Sequence, residues 1–96
     1  MATIIIGMTV RPNMDKVSDI SELAAETKSI VSAFLKKEVT EKDIKIEVKP
    51  IAFGLKELNV AFMAPGDCES SQLEEMFEKS EIVESMMITR FELTLG

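Results

Sequence analysis

The chain has 96 residues and a mass of 10.7 kDa, which is room for one domain and too little for two. Hydrophobic residues make up 46% and charged residues 29%, a globular balance that excludes a disordered chain. Eleven Lys and Arg against seventeen Asp and Glu leave a net charge of −6, which argues against direct contact with nucleic acid or an anionic membrane, where cationic side chains supply the affinity.

Thr3 to Val10 is an almost unbroken β-branched and apolar run, with Ile4, Ile5 and Ile6 together, and it reads as a central strand ended by Arg11-Pro12-Asn13. From about Asp15 to Lys37 the apolar residues recur at threes and fours: Val17, Ile20, Leu23, Ala24, Thr27, Ile30, Val31, Phe34 and Leu35. That period is an amphipathic helix, with Ser18 or Asp15 as its cap and Lys36-Lys37 at its negative end. Ile44, Ile46 and Val48 then alternate with Lys45, Glu47 and Lys49, a half-exposed strand whose regular pairing Pro50 ends. A second alternating run follows at Leu58, Val60 and Phe62, and Pro65-Gly66-Asp67 is a turn. Between the two runs lies Pro50-Ile51-Ala52-Phe53-Gly54, more apolar than most turns. Ser70 or Ser71 opens a short helix with Leu73, Met76 and Phe77 inward, and Val83 to Leu95 is a final strand. The order strand, helix, strand, strand, helix, strand predicts an α+β ferredoxin-like fold: a βαββαβ sandwich, four antiparallel strands with both helices on one face.

Absences narrow the chemistry. There is no His, which excludes His-based acid–base catalysis and His-ligated metals. Cys68 is the one cysteine, so no intramolecular disulfide can form, no CxxC metal site exists, and a thiol nucleophile has no His beside it. Trp and Tyr are missing, which removes most stacking platforms for bases. Arg11 stands where a phosphate-cradling loop would begin, but Arg11-Pro12-Asn13-Met14 has no glycine, and the expected reading is a solvated charge. Glu74, Glu75 and Glu78 share a helix face without the oxygen-rich loop of a calcium site, and read as a solvated surface. The seven methionines read chiefly as core filling. The first residues lack the pattern of a signal peptide, and no apolar run reaches the ~18 residues of a membrane helix. A cytoplasmic domain with no metal and no cofactor is the expectation.

The segment Lys49-Pro50-Ile51-Ala52-Phe53-Gly54-Leu55-Lys56-Glu57-Leu58-Asn59-Val60 resembles the signature of the nucleotide-exchange domain of translation elongation factor 1-beta. Val83-Glu84-Ser85-Met86, running into Phe91, resembles that family's closing strand, and the length is that of the free-standing archaeal form. The resemblance implies a factor that releases GDP from elongation factor 1-alpha, the GTPase that delivers aminoacyl-tRNA, by binding and without covalent chemistry. It implies partner contacts at Ile51, Ala52, Phe53, Gly54 and Lys56, with Phe53 as an apolar wedge. The competing placement for Phe53 is against the sheet edge, as cover. Family members carry a basic residue just before the last apolar residue, reaching toward the partner's magnesium and phosphates. The matching position here is Leu93, while Arg90 falls three residues too early. Leu93 therefore stays a candidate contact without the charge. The expected state is a monomer or weak oligomer. A different reading, a small regulatory or oligomerisation module, fits the fold and the charge but leaves the Ile51–Gly54 motif unexplained.

Overall fold

The β-branched run near the amino terminus becomes the spine of the sheet in the computed structural model, which describes residues 2–17 and 19–95. The elements are β1 (Ala2–Pro12), α1 (Ile20–Leu35), β2 (Ile44–Pro50), β3 (Lys56–Pro65), α2 (Ser70–Glu78) and β4 (Val83–Leu95). The strands form one antiparallel sheet in the order β2-β3-β1-β4. This is the expected ferredoxin-like α+β arrangement, with β1 and β3 central and β2 and β4 at the edges.

Alternation decides which side chains enter the core. Ile4, Ile6, Met8 and Val10 of β1 and Leu58, Val60, Phe62 and Ala64 of β3 are all buried under the helices. They meet Leu23, Ile30, Val31 and Phe34 of α1, and Leu73 and Phe77 of α2. Phe34 packs edge-on against Phe62, with centroids 6.4 Å apart and planes at 80°, the geometry an aromatic quadrupole favours. Each such side chain contributes about 1.5–3 kcal/mol by leaving water, so this seam holds the domain together.

The first helix starts later than its apolar period suggests. Val17 is buried, yet it precedes α1, because Asn13 organises a turn of its own. The Asn13 carbonyl accepts from the amides of Lys16 and Val17, and its side-chain oxygen accepts from that of Asp15 at 3.1 Å. The cap is consequently Asp19, whose carboxylate accepts from the Ser21 amide at 3.0 Å, and not Asp15; Ser18, the other expected cap, lies outside the described residues. At the far end Lys36 takes a left-handed conformation (φ 57°), with its amide bonded to the Ala33 carbonyl and that of Lys37 to Ser32. This closes the helix by a Schellman-type turn without the usual glycine.

The β2–β3 hairpin extends beyond the helical layer. Ile44 is buried and Ile46 half-buried, but Val48 is exposed despite continuing the same alternation. The hairpin tip therefore stands free of the core at one end of a molecule 43 Å long.

Candidate partner-binding site

Pro50 and Lys56 are the last residues paired across the hairpin, leaving Ile51 to Leu55 as its tip. The Ile51 amide donates to the Leu55 carbonyl at 2.7 Å, and the Leu55 amide returns a longer bond of 3.4 Å to Ala52. Closing so tight a loop in register with the right-handed strand twist requires two successive left-handed residues. They are Phe53 (φ 63°, ψ 30°) and Gly54 (φ 75°). Glycine adopts this conformation freely, whereas phenylalanine does so only when the surroundings impose it. The consequence is that Phe53 points straight out: it is 99% exposed. It covers no part of the sheet. Ala52, Gly54 and Lys56 are exposed beside it and Ile51 is half-buried, so five of the sequence-derived candidates meet at this tip.

Two further residues complete an apolar surface there. Met14, on the turn after β1, is 56% exposed, and Leu55 is partly exposed beside Phe53 in sequence. Met14, Pro12, Gly54, Lys56 and the start of α1 line one cleft, and Ile51 and Leu55 join Arg11 and Glu84 around its neighbour. Sequence reading passed over Met14 because one methionine in a loop carries no periodic signal; its position two residues after the strand-ending proline was the available clue. The base of the hairpin is braced on the open sheet face, where Arg11 donates to Glu57 at 3.2 Å and Thr9 to Asn59 at 3.2 Å. Arg11 is thus a strut between strands, with no phosphate-binding loop around it.

Leu93 is not part of this cluster. It opposes Ile4, whereas the hairpin tip lies beyond the Val10–Leu58 pair. Six residues of β1 separate the two levels, roughly 20 Å at the rise of a strand. Leu93 sits on the helix side of the sheet and is 62% exposed, while Arg90 opposes Gly7 on the open face and is bonded to Glu92 at 3.0 Å. A bulge between the pairs Gly7–Arg90 and Met8–Ile88 leaves Thr89 unpaired. Cys68 is half-buried, and burial pushes its thiol pKa up, so it is a poor nucleophile. Glu74, Glu75 and Glu78 are exposed on α2, and among the described residues no three carboxylates or thiols are grouped to hold a metal. The methionines divide: Met8 is buried, Met76 and Met86 are half-buried, and Met14, Met63 and Met87 are exposed.

The family model of the EF-1 guanine nucleotide exchange domain matches residues 5–93. The chain belongs to that family. No match to a curated protein accompanies it. The EF-1 exchange-domain match runs through every strand and both helices, and it takes in the hairpin tip as well as Leu93. Membership places the chain in translation, with a role in EF-1 nucleotide exchange.

Proposed function

We propose that this chain promotes GDP release from a GTPase of the elongation factor 1-alpha type, acting by binding alone. The observation that carries the reading is Phe53: an aromatic side chain 99% exposed on a tightly closed hairpin. A soluble domain leaves such a ring in water at a cost unless a partner receives it. Ile51, Ala52, Gly54 and Lys56 share the tip, and Met14 and Leu55 widen the apolar patch around it.

Exchange follows from linkage. If the factor binds the nucleotide-free GTPase more tightly than the GDP form, it must weaken GDP by the same ratio, and abundant GTP then refills the site. No group on this chain has to transfer a proton or form a bond. Leu93, at the other end of the sheet, belongs to a second contact, so the partner's surface must span most of the molecule's long axis. Because Leu93 supplies no charge near magnesium or phosphate, nucleotide release here rests on shape. The working compartment of such a factor is the cytoplasm.

Acidic residues are concentrated in one part of the molecule. Asp67, Glu69, Glu74, Glu75, Glu78, Glu81 and Glu84 against Lys79 alone account for the whole net charge of −6. A GTPase that carries tRNA has a basic surface, so α2 and its flanks would steer the encounter. The direct test is release of fluorescent GDP from the GTPase with increasing amounts of this protein. Acceleration that saturates is expected; an unchanged release rate at saturating protein overturns the reading.

A further inference from the structure

We propose that the sheet ends in a two-pronged fork that grips apolar side chains of the GTPase, with the Arg11–Glu57 ion pair holding the prongs at their working separation. The inference rests on the exchange reading and deepens it: Phe53 enters the partner, and the partner in turn enters the fork. Pairing between β1 and β3 stops at Val10–Leu58. Beyond that level β1 pairs only with β4, at Arg11–Ser85 and Pro12–Val83, and β3 pairs only with β2, at Glu57–Lys49 and Lys56–Pro50. One prong is therefore the β2–β3 hairpin, with Phe53 and Leu55 at its end. The other is the end of β1, with Met14 on the turn that follows. That turn is tied to the β4 side by the Asn13 amide, which donates to the Ile82 carbonyl at 2.8 Å. Among the described residues one side-chain hydrogen bond crosses between the prongs, from Arg11 to Glu57 at 3.2 Å.

The gap between the prongs opens as two clefts that share Met14 and Lys56. Pro12, Val17 and Ile20 back the first, and Ile51 and Leu55 line the second. Their volumes, about 210 and 290 Å³, fall short of the roughly 300–1,000 Å³ of a small-molecule site and suit single side chains of another protein. The occupant follows from position and charge. Both clefts adjoin the hairpin tip that carries Phe53, so the surface that receives the ring lies over them as well. Their rims hold the carboxylates of Asp15, Asp19 and Glu84 against the cations of Arg11 and Lys56, an acidic balance that suits the basic surface of a GTPase that carries tRNA. The hairpin end has no core beneath it, since Val48 is exposed, so the ion pair fixes its angle to β1. The Glu57 side chain is only 15% exposed, and a partly covered pair is screened less than one fully in water.

Fluorescent GDP release from the GTPase, followed against the concentration of this protein, tests the fork through three variants. Met14→Asp puts a charge where the clefts meet and should raise the concentration for half-maximal acceleration about ten-fold. Arg11→Glu sets two carboxylates against each other across the gap and should have an effect of the same size. Arg11→Lys keeps the charge and should stay close to the wild type. Both positions are exposed, and circular dichroism of each variant checks that the fold is kept. If Arg11 served stability alone, Arg11→Glu would lower the melting temperature and leave the exchange curve in place. Acceleration by the wild type with Met14→Asp or Arg11→Glu on the same curve overturns the fork and leaves the exchange reading standing. An Arg11→Lys variant as weak as Arg11→Glu likewise overturns the role of the ion pair. No acceleration by the wild type overturns both readings.

Discussion

Phe53 holds a backbone conformation that costs a residue with a Cβ about 1–2 kcal/mol, and its φ of 63° is imposed by the hairpin it closes. Because the ring touches nothing in the fold, the molecule gains no packing in return. Phe53→Asn installs an Asn-Gly pair, the preferred sequence for such a turn. It should raise the melting temperature, by roughly 4 °C for about 1 kcal/mol in a domain of this size, while removing the apolar side chain offered to the partner. Thermal denaturation checks the first half of that statement, and a fall in melting temperature would show that the ring packs in solution. Thr27 makes a contrasting case in the core. It is fully buried on α1, and its hydroxyl finds no hydrogen-bond partner. An unsatisfied buried hydroxyl costs about 1–3 kcal/mol, so Thr27→Val should stabilise the domain, again read by thermal denaturation.

Among the elements, β1 and β4 depend on one close approach. A Cβ added at Gly7 would lie 2.9 Å from Cβ of Arg90, its cross-strand partner beside the bulge. Neither backbone can yield without disturbing the ladder, so Gly7→Ala should destabilise by roughly 1–3 kcal/mol, visible as a lower denaturant midpoint. Two turns carry carboxyls that titrate, one before α1 and one before β2. The Asp19 carboxyl is held below its ordinary value by the Ser21 amide and hydroxyl it accepts from. Asp43 is lowered in the same way by Thr40, whose amide and hydroxyl both donate to it. Both carboxyls therefore stabilise the fold when ionised. That contribution is complete above the unfolded value of 3.8 and is lost as pH falls through the lower folded value. Melting temperature should drop as pH falls below 3.8, and Asp19→Asn, which keeps a capping side chain, should flatten part of the drop. All six main elements were legible in the sequence, since each has a clear period and a clear terminator. What it hid were features without a period: the Asn13 turn that delays α1, the bulge at Thr89, and the left-handed Phe53. The bulge arises from pairing between strands distant in sequence, and the two turns from local hydrogen bonds that leave no mark on the apolar period. Five of the six candidate contacts were visible as a contiguous motif. Nothing in the sequence showed that Leu93 lies at the opposite end, because that depends on strand order.

For the whole molecule, the sheet acts as a rigid spacer. It sets Phe53 and Leu93 at opposite ends of a body 43 Å long, so a single partner touched by both must be broad and correctly shaped. Introducing the missing charge tests which end acts on the nucleotide. Leu93→Lys should raise the maximal rate of GDP release about ten-fold, the value of one charge-assisted hydrogen bond to a phosphate or its metal site. An unchanged rate would mean that this end of β4 does not approach the nucleotide. The central claim, that the chain drives exchange through its hairpin tip, is tested most directly by measuring fluorescent GDP release from the GTPase with wild-type protein and with Phe53→Asn. The expected result is saturable acceleration by the wild type and loss of most of it in the variant, although the variant is the more stable protein. Equal acceleration by both, or none by the wild type, would contradict the account.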